Sequence, residues 1–116
     1  MPKIKVKVTI KNSETKDILE TTAIIEENTI KYQEKDFTKV TFNYKENKLI
    51  RENDQMKMIY YFDNTKESTI LIKEYDRRIS LSLKTDKLTK KDNNLEIEYR
   101  IDNEKFEYRI EELKWV

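Results

Sequence analysis

The stretch "LEIEYRIDNEKFEYRIEEL", Leu95 to Leu113, decides the fold. Leu95, Ile97, Tyr99 and Ile101 share one parity and Glu96, Glu98, Arg100 and Asp102 the other, which is the period of a strand with one buried face. Phe106, Tyr108 and Ile110 repeat the alternation on the return. A turn at Asn103-Glu104 sets Ile101 against Phe106, Tyr99 against Tyr108 and Ile97 against Ile110 on the inner side. On the outer side it pairs Arg100 with Glu107, Glu98 with Arg109 and Asp102 with Lys105. Registers displaced by two residues oppose Arg100 to Arg109 or Glu98 to Glu107. At about 0.2–1 kcal/mol per cross-strand pair, charge complementarity selects the first register. The stretch reads as an antiparallel hairpin.

Alternation continues outward, with strands expected near residues 3–11, 17–26, 29–34, 37–45, 47–52, 56–62, 67–75, 77–85, 95–102 and 105–112. The chain has no glycine, so turns that need a positive φ fall to Asn and Asp. The candidates "EENT", "KENK", "RENDQ", "FDNTK", "KDNN" and "IDNEK" lie between apolar runs. Segment 86–94, "DKLTKKDNN", reads as the longest polar connection. A helix within 12–20 or 86–94 stays compatible with the sequence, but no segment sustains a 3.6-residue apolar stripe. A meander of this many strands with one apolar face folds into a sandwich or closes into a barrel. Closure removes exposed edges and favours the barrel.

At 116 residues the chain suits one domain, 1–116, with a single core. Lys and Arg number 24 against 23 Asp and Glu, so no global field favours nucleic acid or an anionic membrane. Lys3, Lys5 and Lys7 form a basic stripe beside Ile4, Val6 and Val8, but no aromatic residue interleaves them for base stacking, and the stripe reads as a solvated face. There is no histidine and no cysteine, which excludes disulfides, thiolate nucleophiles, imidazole bases and the usual zinc sites. The acidic pairs in "IEEN" and "EIEEL" lack metal-loop spacing, and Ser80, Ser82 and Lys84 alternate on what reads as a solvent face. The expectation is a protein without metal or cofactor that is not an enzyme. The first twelve residues gather no apolar core for a leader and no run approaches a membrane span, so the expected location is cytoplasmic.

The order "LIREN", "MKMIYYF", "RISLSLKTDKL" and then "LEIEYRIDNEKFEYRIEEL" resembles the YwiB-like family of small firmicute proteins of unknown function. The resemblance covers roughly Leu49 to the C-terminus. It implies an all-β fold, an antiparallel meander closed into an eight- to ten-stranded calycin-type, lipocalin-like barrel. Arg51 and Thr85 match the family pattern, whereas Asn53 and Arg77 stand where it has glycines. No catalytic residue comes with the resemblance.

Arg51 is the most informative position. With Tyr44 facing Leu49 across "KENK", the residues Phe42, Tyr44, Leu49 and Arg51 share a face that continues through Met56, Met58, Tyr60 and Phe62. A charge on the apolar face must find an acceptor or an aromatic ring, and Tyr44, Tyr60, Tyr99 and Tyr108 can supply both. This set predicts a site for a small anionic or amphipathic ligand at a barrel end. The competing reading has Arg51 locking that end structurally. The bulk of the inner Ile, Leu, Met, Tyr and Phe side chains argues for a filled interior with any pocket confined to one end. Ile59, Tyr61 and Leu71 have the opposite parity and define a second expectation, an outer apolar surface for a homodimer or another protein. Trp115 has the wrong parity for the core unless a bulge near Glu111-Glu112 restores it.

Overall fold

The structure, a computed structural model, describes residues 2–64 and 66–116. Met1 and Thr65, the latter within the expected turn "FDNTK", lie outside the described residues. Eleven antiparallel strands follow one another: β1 (Lys3–Asn12), β2 (Lys16–Glu26), β3 (Thr29–Gln33), β4 (Lys39–Asn43), β5 (Lys48–Glu52), β6 (Met56–Tyr61), β7 (Ser68–Ile72), β8 (Arg77–Leu81), β9 (Leu83–Lys91), β10 (Asn94–Ile101) and β11 (Glu104–Trp115). One 3-10 turn, Lys73–Tyr75, joins β7 to β8, and no α-helix occurs among the described residues. The spatial order is β8-β7-β6-β5-β4-β3-β2-β1-β11-β10-β9, a meander whose two ends meet through the β1–β11 ladder.

The two edges of this sheet, β8 and β9, are consecutive in sequence, with only Ser82 between them. One run, 77–91, thus pairs with β7 through its first half and with β10 through its second, and the sheet becomes a nearly closed barrel. Counting that run once gives ten staves, the upper limit of the sequence expectation. Other hydrogen bonds brace the seam: Asn64 Oδ1 accepts from the Thr85 amide at 3.1 Å, Lys90 Nζ donates to Tyr44 O and to Asn47 Oδ1 at 2.7 Å each, and Asp102 N donates to Ser82 O at 3.3 Å.

The core is the inner face of every stave except the seam. Ile4, Val6, Val8, Ile30, Val40, Phe42, Leu95, Ile97, Tyr108 and Ile110 are all buried. Without glycine, eight of the described residues take positive φ, and six of them are Asn or Asp, as the turn chemistry requires. Glu27 and Phe37 are the other two; a left-handed backbone at a residue with a Cβ costs about 1–2 kcal/mol.

Several expectations need correction. The last hairpin turns at Asp102-Asn103, both at positive φ (55° and 88°), a geometry that a two-residue primed turn demands and that Asp-Asn tolerates. The register is therefore displaced by two: Tyr99 faces Phe106, Ile97 faces Tyr108 and Leu95 faces Ile110, with Glu98 opposite Glu107. That like-charge pair is flanked by Lys87 across from Glu98 and by Lys11 across from Glu107, while Arg109 reaches Glu107 at 2.7 Å. Flanking cations offset a repulsion that the isolated hairpin makes look prohibitive. The same two-residue displacement occurs at "KENK", where Leu49 faces Phe42 and Tyr44 stands in the turn.

Segment 86–94 is not a connection, because most of it belongs to β9. A bulge at Asp86 breaks the period there: Lys87 faces Glu98 and Thr85 faces Tyr99, so Leu83, Thr85 and Leu88 turn to one side at a spacing that alternation does not reveal. Segment 67–75 stops as a strand at Ile72, and residues 77–85 are divided between β8 and β9.

Candidate functional site

β5 carries Arg51 on its inward row, facing Val40 of β4 and Met58 of β6. Its acceptor is Glu34, just past β3: Arg51 Nη2 donates to Glu34 Oε1 at 2.6 Å, with the two side chains 28% and 15% exposed. Burial pulls the guanidinium down, and Glu34 more than offsets this, so Arg51 titrates above its ordinary value. The other donors are poorly served. Nη1 meets only the thioether Sδ of Met58 at 3.8 Å, and Nε is buried with no partner among the described residues.

Around this ion pair stands a wall of phenols. Tyr60 meets Tyr99 edge-on with ring centroids 6.0 Å apart, Phe62 lies 5.1 Å from Tyr99, and Tyr99 stacks on Phe106 at 5.3 Å. The hydroxyls of Tyr32 and Tyr108 hydrogen-bond to each other in the core. Burial pushes the Tyr32, Tyr60, Tyr99 and Tyr108 phenols above their ordinary value, and the Arg51 charge opposes that shift at Tyr32, Tyr60 and Tyr99. All of them are neutral donors at physiological pH.

Of the residues expected to act together, the structure gathers Arg51, Tyr60 and Tyr99 around one electrostatic centre, with Tyr108 behind them through Tyr32. Tyr44 is held elsewhere: its hydroxyl donates to Asn93 O at 3.1 Å, which ties the β4–β5 turn to the β9–β10 turn. Sequence reasoning missed Tyr32 and Glu34. In "TIKYQE" they share the parity of Ile30, so Glu34 is an acid on an apolar row, the natural complement of Arg51.

A cavity of about 300 Å³ opens beside the ion pair, with Val8, Ile10, Ile18 and Leu19 on its apolar side and Asp17, Lys35 and Asp36 near Glu34 and Arg51. The loop after β3 overhangs it. Glu34 N donates to Thr38 O at 2.9 Å, and Asn53 Nδ2 braces Thr38 Oγ1 at 3.1 Å. Hydrogen bonds from Thr38 hold the Asp36 carboxyl below the usual range. At the loop tip Phe37 is 76% exposed at φ 66°, a strained apolar side chain that buries nothing. A wider depression of about 620 Å³ lies over Tyr99 and Phe106, where Arg100 is already engaged by Asp86 through a bidentate pair at 2.9–3.2 Å.

Ile59, Tyr61 and Leu71 are all half-buried. Ile59 lies between Ile50 and Thr69 on the outer face, and Leu71 lies between Lys57 and Arg78. The Tyr61 ring has the ammonium groups of Lys48 and Lys66 over it at 5.5 and 5.3 Å. Trp115 faces Ile4 because β11 bulges at Leu113, one residue beyond the expected position. It caps nothing completely and remains 57% exposed. Among the described residues no group of acidic side chains is arranged to hold a metal ion, and no helix is long and apolar enough to cross a membrane.

No protein-family model matches the chain, and no curated protein matches it. Among solved structures it is similar to the YwiB protein from Bacillus subtilis, with 13% identity over 94% of this chain and 87% of that one and a TM-score of 0.49.

Proposed function

We propose that this barrel is a non-catalytic, cytoplasmic binding protein of the calycin type, and that its ligand is a small amphipathic molecule seated at the mouth beside Arg51. One observation carries the reading. A guanidinium with one oxygen acceptor among the described residues borders a cavity whose opposite wall is apolar. An oxygen of the ligand head replaces the weak thioether contact at Nη1, and its chain lies against Ile10, Ile18 and Leu19. Because Glu34 already shares the Arg51 charge, a singly charged carboxylate or a carbonyl suits the site better than a doubly charged phosphate.

Native mass spectrometry of the protein from its own host, followed by thermal melting with a panel of fatty acids and phosphorylated metabolites, tests this. The expected result is a rise in melting temperature with carboxylate amphiphiles that is lost in Arg51→Met, while that variant still folds. Absence of a co-purifying ligand together with flat melting across the panel would overturn it.

A further inference from the structure

We propose that the free edge at β8 is a docking strand for an extended acidic segment of another polypeptide. Between Arg77 and Lys91 stand six basic side chains and one carboxylate, a net +5 in a chain whose total is +1, which leaves −4 for all the rest. The six are all exposed, and Arg77, Arg78, Lys84 and Lys91 enter no ion pair among the described residues. The charge is thus concentrated on the run that forms both edges of the sheet. β8 has a neighbour on one side only, so half of its amides and carbonyls face outward along five residues.

Edge lysines and arginines commonly discourage pairing, but β8 carries more than charge. Ile79, across from Ile70 of the core-facing row, is 37% exposed, and Tyr75 on the adjoining 3-10 turn is 72% exposed. One row of this edge strand thus carries Arg77, Ile79 and Leu81, and the other carries Arg78 and Ser80 and continues to Lys84. That pattern complements a strand in which Asp or Glu alternates with apolar residues: its backbone completes the ladder, its apolar side chains cover Ile79, its carboxylates meet Arg78 and Lys84, and a terminal carboxylate reaches Arg77 at the end of the Ile79 row. A single-stranded nucleic acid would use the charge but not the backbone edge, and β8 has no row of aromatic rings for bases. Docking at β8 does not depend on any ligand at the Arg51 mouth.

The test uses the intact chain and a fluorescent synthetic peptide alternating Glu and Val, with a Lys-Val peptide and an oligothymidylate of similar length as competitors. Binding of the Glu-Val peptide should weaken with salt, and it should slow amide exchange within 77–83. The double variant Arg77→Glu with Arg78→Glu should weaken binding by about tenfold or more, and Lys84→Glu serves as the check should the double variant lose its cooperative melting. Unslowed amides at 77–83, equal affinity in the charge-reversed chains, a preference for the oligonucleotide, or protection of the same amides by self-association would each overturn the proposal.

Discussion

In β1, β10 and β11 the inward residues Ile4, Val6, Val8, Leu95, Ile97, Tyr99, Tyr108 and Ile110 are all buried, whereas in β7, β8 and β9 only Ser68 is. Both groups belong to one sheet and both obey an antiparallel ladder. The difference lies in what stands behind the inner face. β11 joins the two ends of the chain to the middle of the core, while the run 77–91 closes the ring by turning from one edge to the other and is backed by little. Hydrogen bonding alone makes a stave, but burial decides which staves hold the fold. The Arg51 mouth is lined in part by β1 of the well-backed wall, whereas the basic edge lies at the poorly backed one.

Alkali loads the two walls unequally. The tyrosines whose phenols are raised, Tyr32, Tyr44, Tyr60, Tyr99 and Tyr108, include none from β7, β8 or β9. The unfolded chain releases phenolic protons near pH ~10, whereas the folded one retains them. Stability is therefore complete below that pH and falls as pH climbs beyond it, by up to about 1.4 kcal/mol per unit for each fully buried phenol. Tyr32, Tyr99 and Tyr108 together suffice to erase the stability of a small domain, of order 5–15 kcal/mol, within a few units. The phenolate absorbance of these five tyrosines and the far-ultraviolet dichroism should change together. Ionisation of these phenols near the ordinary value, with the sheet intact, would show that the wall is looser than its burial implies.

Matched truncations measure the contrast directly. Ile110 is 0% exposed and Ile79 is 37% exposed. Ile110→Ala should cost about 2–5 kcal/mol, and Ile79→Ala less than about 1 kcal/mol, both by urea denaturation. Similar costs at the two positions would mean that β8 is part of the core and has no spare edge.

The same division explains what was legible in the residues. On the well-backed strands alternation is clean, and the strands, the barrel and the inward face of Arg51 can all be read from it. Their registers cannot, because a two-residue slip preserves parity, and the arbiter was the local φ preference of Asp102-Asn103 and not the charges alone. At the seam the signal itself fails: the Asp86 bulge shifts parity, and the inner row of β9 runs Leu83, Thr85, Leu88 and Lys90, only half of it apolar. The partner of Arg51 was readable, since Glu34 follows the parity of Tyr32. The cavity beside them depends on how the β3–β4 loop folds over the mouth, with Phe37 in a backbone region that its side chain disfavours.

The smallest effect probes the row that crosses from one wall to the other. Lys87, Glu98, Glu107 and Lys11 lie side by side on β9, β10, β11 and β1, so Glu98 has an attractive neighbour and a repulsive one. Glu98→Gln removes both and should be close to neutral. Lys87→Gln removes only attraction and should cost about 0.2–1 kcal/mol. Lys87 also reaches Glu96 at 3.4 Å, so the single variant overstates the pair; the double-mutant cycle of Lys87→Gln with Glu98→Gln isolates it. The coupling should be favourable at low ionic strength and fade as salt shortens the screening length. In the register that places Glu98 against Arg109, Glu98→Gln would by itself cost what Lys87→Gln costs. A costly Glu98→Gln with no coupling to Lys87 would therefore contradict the Asp102-Asn103 turn, and a neutral one with measurable coupling would establish it in solution.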